Sequence, residues 1–314
     1  MRLGWLYKFV VGFRNAMFDR EILRARRLSW PVVSVGNISV GGSGKTPLVI
    51  MLGELLASRG ISLDVLSRGY RRSSRGVLTV QPNGSPEEFG DEPLLIARKL
   101  SCPVIVGEDR HSAGLEAEEH CTGAAPNALH LLDDGFQHRQ LHRDFNIVLL
   151  NEQDLTDELL PSGRLREPLS SLSRADAVVV DEAFPLDRLQ KGDFQIWTAQ
   201  RLLDVPTINA PVIAFCGIAR PKRFFAELRQ HGLEVVREIV FRDHHRYTDA
   251  DAQELAQQQA LSPGSRLVTT EKDAINLGVH LGKLNPIVIP MRIRLTNPDA
   301  ALDHMLGIIA ERRS

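Results

Sequence analysis

Apolar positions along this chain follow two alternating patterns. Short runs rich in Val, Ile and Leu, closed by Gly, Asn or Asp, alternate with stretches whose apolar residues recur every three or four positions. The runs at Pro31–Asn37, Ser62–Tyr70, Cys102–Gly107, Ala128–Gly135, Phe145–Asn151 and Ala175–Glu182 predict buried strands. After the first run, Leu48, Met51, Leu52, Leu55 and Leu56 form one helical face. Pro47 suits that helix's first turn and Gly60 ends it. Unbroken apolar strands alternating with helices predict an α/β fold, a mostly parallel sheet flanked by helices on both faces. A second strand–turn–helix–strand cycle over Ala210–Val236, with further strands within Ser265–Leu277 and Asn285–Leu295, predicts a second, smaller α/β lobe. The expected division is an N-terminal helix over 1–28, a core domain over 29–200 and a smaller domain over 201–314, joined near Phe194–Thr207.

The N-terminus has a different pattern. Trp5, Leu6, Phe9, Val10, Phe13 and Met17 recur on one helical face, and Lys8, Arg14, Arg20, Arg24, Arg26 and Arg27 follow or flank them. One reading is a helix lying in a membrane interface, aromatic rings in the acyl region and cations on anionic headgroups. The other is an ordinary amphipathic helix packed on the domain. The run is too short to cross a bilayer, which takes about 20 apolar residues, and it lacks the continuous core and cleavage site of a signal peptide.

Composition narrows the class. At 314 residues, 43% hydrophobic and 25% charged, the chain has material for a large buried core and reads as soluble and globular. A net charge of −1 excludes a globally basic nucleic-acid binder. Cys102, Cys121 and Cys216 lie far apart without C-x-x-C spacing, which argues against a zinc site or a disulfide framework.

The chemistry concentrates at strand ends. Ser39–Pro47 reads SVGGSGKTP between a predicted strand and a predicted helix, the context a phosphate-binding loop requires. Ser39 stands where that motif places its first glycine, while Gly41, Gly42 and Gly44 still supply the freedom a tight anion nest needs. Lys45 would reach the β- and γ-phosphates and Thr46 would ligate Mg²⁺. The fourth strand ends in Asp133 and Asp134, where a metal ligand and a second carboxylate belong in a P-loop kinase, although Asp-Asp-Gly is also a good turn. Arg68, Arg71, Arg72 and Arg75 follow the second strand; they form either a solvated loop or a phosphate-binding cluster.

Seven ordered motifs, VGNISVGGSGKTP, SRGYRR, GDEP, LLDDGFQH, GRLREP, FRDHHRYT and TTEKDA, cover nearly the whole chain. In them the chain resembles the tetraacyldisaccharide 4'-kinase family of lipid A biosynthesis, whose loop also carries serine at the first glycine's place. The resemblance implies a P-loop NTPase-like fold of two α/β/α lobes joined by a strand linker, with the site in the cleft and the smaller lobe closing over the nucleotide. It implies phosphoryl transfer from ATP, with Mg²⁺, to the 4'-hydroxyl of a tetraacyldisaccharide 1-phosphate, giving lipid IVA. The enzyme would be peripheral, on the cytoplasmic face of a Gram-negative inner membrane.

Matched residue by residue, Asn37, Ser39, Val40, Gly41, Gly42, Ser43, Gly44, Lys45 and Thr46 are the expected nucleotide contacts. Asp91 takes the position of the catalytic base and His244, or else His245, that of its partner. Asp134 joins Lys45 and these two in the catalytic set. Thr46, Asp133 and Glu167 are the expected metal ligands; Glu167 could equally be a helix-start carboxylate. Arg68, Tyr70, Arg71, Arg72 and Arg166 are expected to meet the lipid phosphate. Glu271, Lys272 or Asp273 would touch nucleotide, unless Asp273 caps a helix. One departure is Ala219-Arg220 before Pro221, where the family more often carries Gly-Asn or a similar pair.

Two rivals stay open at this stage. A membrane-bound P-loop switch would explain Lys45, Thr46 and Asp133 but leave Asp91, His244 and the Arg loop without a task. A soluble small-molecule kinase would not need the aromatic, basic N-terminus.

Overall fold

The computed structural model describes residues 2–120 and 127–314. The side chains of Leu6 and Cys121 lie outside the described residues. The strands are β1 (Val32–Asn37), β2 (Ser62–Ser67), β3 (Leu78–Thr79), β4 (Val104–Val106), β5 (Ala128–Asp133), β6 (Phe145–Leu149), β7 (Ala177–Asp181), β8 (Gln195–Leu203), β9 (Val212–Cys216), β10 (Val235–Val240), β11 (Arg266–Thr270), β12 (Ile287–Ile289) and β13 (Met291–Leu295). The helices are α1 (Arg2–Asp19), α2 (Lys45–Ser58), α3 (Pro86–Phe89), α4 (Asp91–Lys99), α5 (Arg110–His120), α6 (Pro221–Gln230), α7 (Asp249–Ala260), α8 (Glu271–Leu277), α9 (His280–Leu284) and α10 (Pro298–Arg313).

A nine-stranded sheet runs in the order β13-β8-β7-β6-β1-β5-β2-β4-β3. From β8 to β4 every pairing is parallel, and the edge strands β13 and β3 are antiparallel. Each predicted strand of the first set is present, and β1, β5 and β6 are buried along their whole length, as strands covered on both faces must be. One face packs on α2, α4 and α10 through Leu48, Leu52, Leu94 and Met305; on the other, Leu28, Leu66, Leu132 and Ala113 make a second core with α5. The smaller lobe is a four-stranded parallel sheet, β10-β9-β11-β12, with its own core around Val212, Phe224 and Leu228.

The expected boundary at 200/201 is corrected by the topology. β8 crosses it, and β13 and α10 return to the large sheet, so the smaller lobe is an insertion spanning roughly residues 204–290. The return has a packing reason. β13 pairs antiparallel with β8, and Leu302, Met305 and Ile309 of α10 enter the main core. Arg313 then pairs with Asp144 through Nε at 2.8 Å and Nη2 at 2.9 Å and donates to the carbonyls of Ser29 and Trp30. Asp144 also accepts from the Val32 amide, so one buried carboxylate ties the C-terminus to the start of β1.

A second buried knot lies under α5. His130 on β5 is fully buried, with Nδ1 2.8 Å from Asp64 Oδ2 on β2 and Nε2 3.2 Å from Glu118 Oε1 on α5. Burial disfavours the imidazolium, but the two carboxylates outweigh it and raise the His130 pKa above its ordinary value. Replacing His130 leaves Asp64 buried without its partner, which costs about 3–5 kcal/mol. His130→Leu should therefore unfold at clearly lower urea than the wild type. Because the folded-state pKa is raised, the charged form's contribution is full below about pH 6.5 and is lost as pH rises through that pKa. The gap between wild type and variant should accordingly be wider at pH 6 than at pH 9. Equal urea midpoints at pH 6 would show that the knot contributes nothing to stability.

Candidate active site

The loop after β1 is built as an anion nest. Gly41 and Gly44 adopt φ of 100° and 95°, which side-chain-bearing residues rarely tolerate, and Gly44 leads directly into α2. Ser39 has no such φ, so glycine is not needed there. Its backbone instead bridges to Leu165, and Val40 donates to the Arg164 carbonyl, clamping the loop against the GRLREP segment. Lys45 Nζ lies 3.1 Å from Asn37 Oδ1, 3.4 Å from Ser43 Oγ and 3.5 Å from Asp134 Oδ1. Asn37 in turn donates to the Ser39 carbonyl at 2.7 Å. The helix N-terminus and this lysine place positive charge where a phosphate would sit.

The carboxyl end of β5 adjoins this loop, and its two aspartates have opposite surroundings. Asp133 is 2% exposed; Oδ2 accepts from Ser67 Oγ at 3.1 Å, and Oδ1 has no partner among the described residues. Burial first, then the charges of Glu92 and Asp134, push its pKa up to about 7. Asp134, with φ of 49°, is half-buried; burial would raise its pKa, but Lys45 and Arg166 hold it below the usual value, and Arg166 Nη1 lies 3.0 Å from its Oδ2. The expected catalytic role for Asp134 meets a carboxylate already paired with two cations.

Asp91 faces His244 across the cleft between the lobes. His244 Nδ1 lies 2.8 Å from Asp91 Oδ2, which also accepts from Asn276 Nδ2 at 3.1 Å. His245 points elsewhere, 3.0 Å from Asp251 Oδ2, so of the two histidines it is His244 that meets Asp91. Burial alone would raise the Asp91 pKa. The His244 hydrogen bond and the Lys272 charge prevail and hold it well below the usual carboxylate range. Lys272 Nζ sits 3.2 Å from both Glu92 Oε1 and His244 Nε2. Asp273 does not point at the cleft. It accepts from Gly217 N, Tyr247 Oη and Thr270 Oγ1, fixing the start of α8 and the loop after β9.

The remaining expected residues divide. Arg68, Tyr70, Arg71 and Arg166 line the same cavity of about 660 Å³ as the loop, Asp133 and His244. Arg72 does not; its guanidinium donates to the Gly76 and Val106 carbonyls and braces its own loop. Arg71 reaches the Asp243 and His244 carbonyls, so its head group is engaged with the smaller lobe. Glu167 is buried against Arg174 at 2.5 Å, Asn15 at 2.6 Å and Ser171, all on one oxygen. Its charge is matched by Arg174 and that oxygen anchors α1 through Asn15, while Oε1 has no partner among the described residues. At the departure from the family pattern, Ala219 lies so close that a Cβ on Gly41 or Gly42 would meet it at 3.7 or 3.6 Å, while Arg220 reaches Asn151.

α1 is turned inside out. Its polar residues face the protein: Tyr7 Oη donates to the Arg166 carbonyl, Asn15 to Glu167 and Arg14 to the Gln137 carbonyl. Its apolar residues face outward, Trp5 70%, Phe9 57% and Phe13 60% exposed, their rings stacked in sequence. Among the described residues no helix is long and apolar enough to cross a membrane.

Sequence reasoning missed Glu92 and Asn276 and gave Lys272 a different task. The signal was present, since Lys272 and Asn276 are one helical turn apart and share a face.

The family model described as tetraacyldisaccharide-1-P 4'-kinase matches residues 1–310. A tetraacyldisaccharide 4'-kinase of Koribacter versatilis is 48% identical over 322 residues, covering 99% of each chain. One of Aquifex aeolicus is 40% identical, covering 87% of this chain and 88% of its own. The crystal structure of the Aquifex aeolicus protein in complex with ATP superposes with a TM-score of 0.77 at 35% identity, covering 98% of each chain. The chain belongs to the tetraacyldisaccharide 4'-kinase family.

Proposed function

We infer that this protein is an ATP-dependent kinase that phosphorylates the 4'-hydroxyl of a tetraacyldisaccharide 1-phosphate, giving lipid IVA. The observation that carries the reading is one cleft holding both halves of the reaction. The phosphate nest with Lys45 and the imidazole of His244 line the same cavity, and buried Asp91 lies behind that ring, 2.8 Å from its Nδ1. The sugar oxygen attacks the γ-phosphorus, the β–γ bridging oxygen leaves with ADP, and the hydroxyl proton passes to Asp91. Lys45 and the α2 N-terminus neutralise charge on the transferring group. The low pKa of Asp91 suits a loose transition state, in which the nucleophile gives up its proton late.

The site also fits Mg²⁺. Asp133, with a buried oxygen that has no partner among the described residues, and the buried Thr46 would hold such an ion, which would supply positive charge against the phosphates. Glu167 is left to hold α1. Turnover of ATP with and without the lipid disaccharide tests the reading against a switch, which would hydrolyse at one slow rate in both.

The outward Trp5/Phe9/Phe13 stripe, beside exposed Lys8, Arg20 and Arg24, supports seating of this helix on an anionic membrane surface, at the cytoplasmic face of the inner membrane where the lipid is met.

Three outcomes follow. Lys45→Ala should lower kcat/KM by on the order of 10² or more; near-normal turnover would remove the loop from the mechanism. Asp91→Asn should cut kcat by about 10²–10⁴ with the KM for MgATP within a few-fold. His244→Ala should be milder, and the double variant should lose less than the sum in free energy. Strictly additive losses would mean that the two act independently. Because truncation of α1 would also strip the anchors of Arg166 and Glu167, the membrane test is the triple Trp5→Ser, Phe9→Ser, Phe13→Ser. It should co-sediment less with anionic vesicles at low salt while keeping its thermal midpoint. Unchanged sedimentation would reduce α1 to a packing element.

A further inference from the structure

Lys272 and Asn276 project from one face of α8 towards α4, and both reach Asp91. Lys272 Nζ lies 3.8 Å from Asp91 Oδ2, 3.2 Å from Glu92 Oε1 and 3.9 Å from Asp243 Oδ1. Its remaining contact is His244 Nε2 at 3.2 Å. An ammonium has donors and no acceptor, so Nε2 must accept. A neutral ring that accepts at Nε2 carries its proton on Nδ1, and Nδ1 faces Asp91 at 2.8 Å.

We propose that Lys272 is a positioning residue that holds His244 neutral in the Nδ1–H tautomer, so that Asp91 is an ionised carboxylate bonded to a neutral ring rather than half of a carboxylate–imidazolium pair. This rests on the reading of Asp91 as proton acceptor. The groups around the ring make the need plain. Asp243 lies 3.9 Å from Nε2 on the same loop, Asp91 faces Nδ1 from α4, and the Tyr70 ring meets the imidazole edge-on at 5.3 Å. Arg71 binds the backbone carbonyl of His244, not the ring. Two carboxylates beside an imidazole draw a proton onto it, and Lys272 is the cation seated on the ring nitrogen to oppose this. Burial disfavours its charge, yet Glu92, Asp91 and Asp243 raise its pKa, so it remains an ammonium across the working range. An imidazolium would instead lock onto Asp91 and weaken it further as a base. The arrangement also gives the lysine of TTEKDA a task that needs no contact with nucleotide.

The test is long-range ¹H–¹⁵N correlation on full-length protein labelled with ¹⁵N-histidine, without ligand, the His244→Gln spectrum identifying the ring. At pH 7 the wild type should show the neutral Nδ1–H tautomer, and Lys272→Met should show the imidazolium. In turnover, the acid limb of kcat/KM for the lipid acceptor should move up by about one pH unit or more in Lys272→Met, and Lys272→Arg should restore it. A wild-type ring that is imidazolium or Nε2–H overturns the proposal, even if no variant folds. So does the same ring state in Lys272→Met. The ring state is read without activity, so failure of the kinase reading would appear separately, as absent acceptor-dependent turnover in the wild type.

Discussion

A carboxylate buried between two lobes is stable only when opposing charge and donors come from both sides. Asp91 is such a group, and much of the architecture depends on it. The large lobe contributes the carboxylate, at the start of α4, and the Glu92 amide that caps one oxygen. The smaller lobe contributes His244, Asn276 and Lys272. Closing the cleft and compensating this charge are therefore one event. Opening it would return Asp91 to water and part Lys272 from the carboxylates of α4. The chain crosses between lobes after β8 and again before β13, so the smaller lobe is tethered twice beside the same sheet edge.

Three aspartates near this cleft show how environment sets what one side chain can do. Asp91 is saturated with donors and held ionised. Asp134 is paired with Lys45 and Arg166 and acts as their counterion. Asp133 has a single hydroxyl donor and a free buried oxygen, and its pKa is pushed up to about 7. In the sequence Asp133 and Asp134 are neighbours of identical chemistry. The end of β5 separates them, because successive residues there turn to different sides and Asp134 leaves the strand at positive φ.

Strands buried on both faces were legible because an unbroken Val/Ile/Leu run has few other uses. β8 was not: Gln195–Leu203 mixes Gln, Thr and Arg with its apolar residues and reads as a linker. The return of β13 and α10 was not legible either. The alternating Met291, Ile293 and Leu295 fit an edge strand of either sheet, and only the pairing with β8 decides. The glycine-rich turn between β1 and α2 was readable because its motif fixes local geometry, and the family resemblance named Asp91 and His244, which the fold brings to 2.8 Å of each other. Glu167, Arg72 and Lys272 have contacts that the sequence did not show, for a shared reason. Each is a charge whose partner lies far away in sequence: Arg174 and Asn15 for Glu167, the Val106 carbonyl for Arg72, Glu92 for Lys272.

The same dependence on distant partners explains the inverted first helix. Turning Trp5, Phe9 and Phe13 to the outside gives up apolar burial worth about 25 cal/mol per Å². A helix free to choose in water would turn that face inward. Here the opposite face is already committed, because Tyr7, Arg14 and Asn15 are the donors that meet Arg166, Gln137 and Glu167 behind the cavity. Swapping faces would bury Lys8 and leave the Glu167 carboxylate with one donor fewer. The polar contacts thus hold the aromatic stripe outward and tie it to the floor of the site. The stripe therefore lies on a helix whose other face, through Tyr7 and Arg14, lines the cavity that holds the phosphate loop.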